Sequence, residues 1–249
     1  QVGQSSFIDR QKFLDYVYSF RCKCSGCSEL ILSDLVHGSY RCKVHDCNGV
    51  ILDYGIAECV KEKFQLSQVD DVRIHRLGRL FNENNHTSPE KSSLFGKCLS
   101  CGSSCDLRAP QKAIDKADIN VERLRESESR GEIPSEDAIT DAVKSLGRLR
   151  KVLHPLNYKI AEVENVLAKA FCLIGDMQAA YRHCKASFEI LEALHGKDHI
   201  IVGNELIKLS SVQHFVGPAA SAAESISRLR AIFSRHYGSH ANLLLPHLP

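Results

Sequence analysis

The chain's eleven cysteines are concentrated near its amino terminus, and all except Cys172 and Cys184 lie between Cys22 and Cys105. A density of this kind is typical either of a disulfide-bonded secreted fold or of metal sites built from thiolates. In both cases cross-links supply stability that a small apolar core cannot provide. The first part of the chain therefore carries a structural constraint that the second part does not need.

The spacing of these cysteines favours zinc over disulfides. Cys42 and Cys47 form one closely spaced pair, and Cys98-x-x-Cys101 forms another. A glycine lies soon after each pair, which allows the backbone to turn so that both sulfur atoms face one ion. Zinc takes four such ligands in a tetrahedron, and the chain shows no secretory signal segment. We therefore predict one Zn²⁺ site formed by these four cysteines.

A second cysteine group is one ligand short of a complete zinc site. Cys22, Cys24 and Cys27 place three sulfur atoms within six residues, too crowded for ordinary disulfides among themselves. Their fourth ligand must come from elsewhere in the fold or from sequence that this chain lacks. Cys59 and Cys105 are spare candidates for a metal, and we favour free thiols for both.

The overall composition is that of an ordinary globular protein. Hydrophobic residues make up 43% and charged residues 25%, and the formal net charge of +2 gives no general case for nucleic acid or an acidic membrane. The basic groups Arg76/Arg79 and Arg148/Arg150/Lys151 are short and scattered, so we interpret them as solvated faces. The apolar runs are too short for a membrane span, and we expect an intracellular protein of the cytoplasm, the nucleus or both.

From Gln111 onward the sequence predicts helices. Apolar residues recur there at three- and four-residue steps, which is the period of an amphipathic helix. The apolar positions are Ile114, Ala117, Val121 and Leu124; Ala142, Leu146, Leu149 and Leu153; Val163, Leu167, Ala170, Phe171 and Ile174; and Ala180, Cys184, Phe188, Leu191 and Leu194. Glycines and prolines between these segments mark the helix ends.

The helix breaks are themselves periodic. Gly175 and Gly217 are 42 residues apart, and so are Gly196 and Gly238. A two-helix unit repeated at this period predicts a tetratricopeptide-like antiparallel array, in which neighbouring hairpins stack to bury their apolar stripes.

Two pairs of side chains in the helical part could suggest metal or redox chemistry. Cys172 and Cys184 fall on apolar faces, and we interpret them as small core residues. His195 and His199 have the four-residue spacing of a helical metal site, but Gly196 lies between them at a helix break. We therefore interpret both histidines as turn residues.

The region around the cysteine triplet resembles a known family. Its string Tyr18-Ser19-Phe20-Arg21-Cys22-Lys23-Cys24-Ser25-Gly26-Cys27, preceded by Arg10-Gln11-Lys12-x-Leu14, is similar to the end of a SET domain and its post-SET zinc motif. Arg41-Cys42…Cys47-Asn48-Gly49 and Cys98 to Gly102 then follow in the order found in the SET- and MYND-domain (SMYD-type) protein-lysine methyltransferases. The likeness covers essentially the whole chain and is greatest to the plant branch bearing tetratricopeptide repeats.

The resemblance implies roles for individual residues. It implies that Cys22, Cys24 and Cys27 bind a post-SET zinc with a fourth cysteine from an upstream SET core. It also implies that Phe20 stacks on the adenine of the methyl donor S-adenosylmethionine, and that Tyr18 lines the channel for the target lysine. Plain core packing is the alternative for both rings.

The resemblance also implies what this chain does not contain. The family's catalytic tyrosine, its donor-binding glycine motif and its MYND fingers would all lie before Gln1, which is not a Met. We therefore expect a fragment or a processed product that is inactive alone. The expected organisation is the end of the SET domain and the post-SET motif over 1–30, a zinc-ribbon-like region with a long loop over 31–110, and a tetratricopeptide-like domain over 111–249.

Two functions from different classes remain open at this point. One is the carboxy-terminal part of a protein-lysine methyltransferase, histone-type in class, which supplies a post-SET lid and a helical domain. The other is a non-catalytic, zinc-stabilised scaffold that holds a protein or peptide in the groove of its helical array.

Overall fold

The computed structural model describes residues 7–20, 22–23, 35–53, 94–217 and 219–241. Four short strands lie in the first part of these ranges: β1 (Tyr40–Arg41), β2 (Val50–Asp53), β3 (Phe95–Cys98) and β4 (Ser104–Asp106). The helices are α1 (Phe7–Tyr18), α2 (Arg108–Ser129), α3 (Glu136–Val152), α4 (Tyr158–Leu173), α5 (Met177–His195), α6 (Ile200–Val216) and α7 (Ala219–Tyr237), followed by a 3₁₀ turn over Gly238–His240.

The strands form one antiparallel sheet in the order β1-β2-β3-β4. Tyr40 lies opposite Ile51, and Ile51 lies opposite Cys98. Gly96 in β3 packs so closely on β2 that a Cβ atom there would lie 2.6 Å from the carbonyl oxygen of Leu52. The sheet therefore brings the end of β1 and the end of β3, where two of the predicted ligands lie, to neighbouring positions.

The chain divides into two compact units. The first comprises Gln1–Ala113 together with Lys151–Asn157, and the second comprises Ile114–Arg150 and Tyr158–Pro249. The first unit is centred on the sheet and has buried Val36, Leu52 and Leu153 in its core. The end of α3 and the link to α4 thus belong to the unit that contains the four predicted zinc ligands.

The second unit is an array of helices in which α4, α5, α6 and α7 pack in succession. Its core contains Cys184, Val202, Leu206, Leu229 and Ile232, all buried. Close packing of α6 on α7 depends on Gly203, where a Cβ atom would lie 2.9 Å from the ring of Phe233. The predicted class, mainly helical with a small cysteine region followed by a helical array, is confirmed. In the described ranges, no helix is both long and apolar enough to cross a membrane.

The apolar pattern predicts the buried faces well except at one helix end. Ile174 was expected on the apolar face of α4, but it lies in the turn after that helix and is 44% exposed. The chain reverses there because Gly175 adopts a left-handed conformation with φ +82°. Asp176 then begins α5, since its side chain accepts a hydrogen bond from the backbone N–H of Ala179 at 2.9 Å.

Candidate metal centre

Four of the predicted zinc ligands meet at one end of the sheet. The Sγ atoms of Cys42, Cys47, Cys98 and Cys101 all lie within 4.8 Å of one another. The Cys42–Cys101 and Cys47–Cys98 sulfur distances are 3.7 and 3.8 Å. Four thiolates about 2.3 Å from a tetrahedral ion are separated by about 3.8 Å, so the spacing fits a bound zinc. It is too long for a disulfide bond, in which the sulfurs are about 2.05 Å apart.

The first pair is held by a tight loop after β1. The backbone N–H of Cys42 donates to the carbonyl oxygen of Gly49 at 3.2 Å, and that of Cys47 donates to Val44 at 3.1 Å. Asp46 supports the turn with a left-handed backbone at φ +61°. This conformation folds the chain back so that two cysteines five positions apart face the same point.

The second pair lies where β3 ends. The N–H of Cys98 donates to the carbonyl oxygen of Ser103 at 2.9 Å, and the N–H of Gly102 donates to that of Cys98 at 3.0 Å. Gly102 has φ +73°, so the glycine after Cys101 supplies the turn that the sequence predicted.

Gly49 allows the two loops to meet. A Cβ atom at this position would collide with the Sγ of Cys98 and would lie 2.8 Å from the side chain of Ser100. Any larger residue would therefore displace a sulfur ligand.

The four thiols have unequal acidity. Burial raises the pKa of Cys42 to about 12 and also raises the pKa of Cys98. By contrast, hydrogen bonding from Ser103, whose hydroxyl lies 2.6 Å from the sulfur, lowers the pKa of Cys101 to about 6. Four thiolates so close together require a cation to offset their charge, and zinc is the common ion for four sulfur ligands. Ser103 was not singled out from the sequence, although its position two residues after Cys101 is a usable signal.

Among the described residues, Cys22 and Cys105 do not belong to this cluster. Cys105 lies in β4 opposite Gly96, with its Sγ 3.7 Å from the carbonyl oxygen of Asp106. Cys22 lies after α1 and is half-buried. Cys24, Cys27 and Cys59 lie outside the described residues.

Gln11 holds the start of the predicted post-SET motif. Its side-chain amide donates to the carbonyl oxygen of Cys22 at 3.0 Å and accepts from the N–H of Cys22 at 3.1 Å. Between Gln11 and Cys22 in the sequence, α1 ends at Tyr18, and Ser19 reverses the chain direction with φ +47°. The sequence identified Gln11 as part of a motif but did not predict this pair of hydrogen bonds.

The two aromatic residues with implied roles both face solvent. Tyr18 is 66% exposed and Phe20 is 51% exposed, whereas core residues of the helical array are buried. Tyr18 packs edge to face on Phe13, with ring centroids 6.2 Å apart. Each ring therefore exposes apolar area of the kind that a planar ring or an aliphatic side chain can contact.

Comparisons with known proteins identify similar sequences. The chain is 28% identical over 233 residues, 92% of its length, to the protein-lysine N-methyltransferase SMYD4 of Danio rerio. It is 30% identical over 128 residues to the Gallus gallus protein of the same name, and 28% identical over 79 residues to that of Homo sapiens. No family model matches the chain. The resemblance to SMYD-type protein-lysine methyltransferases is therefore confirmed.

These relatives are much longer than the chain. The matched region spans 26% of the Danio rerio protein, 16% of the Gallus gallus protein and 10% of the Homo sapiens protein. The similarity therefore concerns only one part of each relative.

Proposed function

We propose that this chain is the carboxy-terminal part of a SET-domain, S-adenosylmethionine-dependent protein-lysine methyltransferase. It supplies the post-SET segment and a helical domain for substrate or partner binding. The single observation that carries this proposal is the similarity over 92% of the chain to a protein-lysine N-methyltransferase. The four-cysteine cluster agrees with it, because its two cysteine pairs follow the cysteine triplet in the order of the family pattern.

The proposal includes zinc at the four-cysteine cluster. The sulfur–sulfur distances of 3.7 and 3.8 Å support it, and so does the space kept open by Gly49. Elemental analysis of the purified chain should give about one equivalent of zinc from this cluster. Cys98→Ser should abolish that equivalent, while Cys105→Ser should leave it unchanged. A folded, metal-free wild-type chain would contradict the zinc assignment.

Residue roles at the methyl-transfer site follow from the same resemblance. We propose that Cys22, Cys24 and Cys27 bind a second zinc with a cysteine from the SET core of the full-length protein. Phe20 would stack on the adenine of S-adenosylmethionine, which supplies the methyl group, and Tyr18 would line the channel of the substrate lysine. Aromatic faces stabilise a nearby ammonium by cation–π attraction, and a dry channel favours the neutral, nucleophilic amine.

The full-length protein that contains this chain offers the direct test. It should transfer methyl groups to lysine in a protein substrate, and the 249-residue chain alone should not. Phe20→Ala should weaken binding of S-adenosylmethionine by roughly 1–3 kcal/mol, the range for losing a base–aromatic stack. Phe215→Ala is the matched control, because Phe215 is also exposed but belongs to α6. Equal donor affinity for Phe20→Ala and wild type would refute the adenine role.

A second candidate function is partner binding by the helical array. A polar network joins three alternate helices: Arg125 of α2 pairs with Glu162 of α4 at 2.5 Å, and Lys208 of α6 donates to Asn165 of α4 at 2.7 Å. Glu205 beside Lys208 is buried and has one carboxylate oxygen without a partner. We propose that this face of α2, α4 and α6 contacts a protein or peptide with charged side chains.

Steady-state kinetics of the full-length protein can separate this role from catalysis. Lys208→Ala should raise KM for a protein substrate and leave kcat nearly unchanged, because the residue would contribute only to binding. Lys185→Ala on α5 is the control, since Lys185 is exposed and its ion pair with Glu189 is long, at 3.9 Å. Identical kinetics for the two variants would argue against substrate binding by this face.

A further inference from the structure

The outer edge of the cysteine sheet is covered by a segment from the helical part of the sequence. β1 is an edge strand, and Tyr40 in it forms an antiparallel bridge with Leu153. Leu153 belongs to a segment that we call the connector, Lys151–Asn157, which comprises the end of α3 and the link to α4 and lies within the same compact unit as the sheet. Both bridge residues are buried. The connector therefore shields a strand edge that would otherwise expose unpaired backbone groups.

A buried polar contact fixes the connector beside this bridge. The carbonyl oxygen of Ser39 accepts two hydrogen bonds, one from the side-chain amide of Asn157 at 2.8 Å and one from the backbone N–H of His154 at 3.1 Å. Ser39 is 0% exposed and Asn157 is 4% exposed. The loss of either donor would leave a buried acceptor less well satisfied, which is costly inside a protein.

Strand β1 is followed directly by Cys42, one of the ligands of the proposed metal centre. The backbone N–H of Cys42 donates to the carbonyl oxygen of Gly49 at 3.2 Å. Ile51 in β2 lies between Tyr40 of β1 and Cys98 of β3. An ion bound to both cysteines therefore ties the ends of β1 and β3 together, and β1 is the strand that the connector contacts.

From this arrangement we propose that metal binding at the four-cysteine cluster is coupled to the stability of the adjoining ends of α3 and α4 through the Ser39–Asn157 contact. The inference rests on the proposed zinc site. A bound ion orders β1, β1 orders the connector, and the connector fixes where α3 ends and α4 begins. An ion that binds only the ordered state stabilises every element that must be ordered with it. Helical stability then depends on a metal with no ligand in any of the helices α2 to α7.

The test uses the full chain and one matched pair of variants. Asn157→Ala removes the contact to Ser39, whereas Asn120→Ala removes a buried asparagine that donates to Ser145 at 2.8 Å and to the carbonyl oxygen of Asp141, all within the second unit. Each protein is analysed for zinc and then unfolded by heat, with and without EDTA, while helical circular dichroism is recorded. EDTA should lower the helical Tm of wild type by about 5 °C or more. Asn120→Ala should show the same EDTA shift from a lower starting Tm, and Asn157→Ala should lose at least half of it.

The possible outcomes distinguish a failure of the proposed coupling from a failure of the proposed zinc site. Equal EDTA shifts in wild type and Asn157→Ala, both with zinc bound, would overturn the coupling and leave the zinc site intact. No zinc in folded wild type would overturn both. If Asn157→Ala does not fold, hydrogen exchange of wild type decides: EDTA should accelerate exchange in the first turns of α4 more than in α6. Equal acceleration in the two helices would overturn the coupling.

Discussion

The Nδ1 atom of His183 lies 2.7 Å from the Oε2 atom of Glu164, inside the helical array. The Glu164 side chain is 1% exposed, and its other oxygen pairs with Arg150. The ring of His183 also stacks on Phe171, with centroids 5.2 Å apart and planes within 5°. A single buried carboxylate from α4 therefore joins α3 to α5.

Removal of this carboxylate should destabilise the array. Glu164→Ala should lower the free energy of unfolding by about 1–3 kcal/mol, because His183 and Arg150 lose their partner at a buried position. The contribution from Arg150 to this loss is small, because its side chain is half-exposed and can be solvated by water. The control is Glu189→Ala, which breaks an exposed pair with Lys185 and should cost less than about 0.5 kcal/mol. Urea denaturation measures both values, and equal losses would contradict the prediction.

Stability should fall in mild acid because a histidine caps α6 in its neutral form. The Nδ1 of His199 accepts a hydrogen bond from the N–H of Ile201 at 3.2 Å, which a protonated ring cannot do. Burial, and then the charge of His236, lowers the pKa of His199 below 6.5. The unfolded chain therefore binds a proton at higher pH than the folded one. The cap stabilises fully above pH 6.5, and its contribution is lost as the pH falls toward the folded pKa.

The size and origin of this pH effect can be tested by substitution. His199→Asn keeps a capping oxygen that does not titrate, so the decrease in stability between pH 7 and pH 5 should shrink by about 1 kcal/mol. His214→Asn is the control, because His214 is exposed within α6. Thermal unfolding across this pH range supplies the measurement. The cap assignment fails if both variants keep the wild-type pH dependence.

A methyl group at Gly49 should weaken metal binding. Gly49→Ala places a Cβ atom against the sulfur of Cys98, so one ligand must move away from the ion. We expect zinc affinity to fall by roughly 10–100-fold, as for other disturbances next to a metal ligand. Competition with a chromophoric chelator measures this affinity. Gly147→Ala in α3 is the control: nothing lies within 4 Å of its Cβ position, and it should raise stability by up to about 1 kcal/mol.

Removal of the Gln11 amide should release the segment that begins the cysteine triplet. Two hydrogen bonds to Cys22 are lost in Gln11→Ala, each contributing about 0.5–1.5 kcal/mol. Amide exchange at Cys22 should therefore accelerate roughly tenfold or more. Gln178→Ala is the control, because Gln178 is exposed on α5. Unchanged protection of Cys22 in Gln11→Ala would show that the contact does not order this segment.

The types and spacing of the residues predicted those parts of the structure in which side chains make the decisive contacts. Ala142, Leu146 and Leu149 are buried as expected, since a helical period places them on one face. The four-cysteine cluster was predicted for a similar reason, because two close pairs can complete one tetrahedron. Of the two histidines interpreted as turn residues, His199 is the N-cap of α6, whereas His195 is the last residue of α5.

The connector's place beside β1 was not predictable in this way. Ser39 takes part through its carbonyl oxygen and His154 through its N–H, and almost every residue carries these groups. Contacts made by backbone groups cannot be recognised from the types of the residues that make them. Asn157 contributes a side chain, but a single asparagine before a helix is equally typical of a turn.

The pairing of Tyr40 with Leu153 also affects how the protein is made. Ser39 and Asn157 are 118 residues apart, so β1 leaves the ribosome long before the connector exists. At about 5–20 residues per second, the outer edge of the nascent sheet stays open for on the order of ten seconds. During that interval an unpaired strand can join the wrong neighbour. The sheet is thus most exposed to aggregation in the interval after its strands have been synthesised and before the segment that covers β1 has followed.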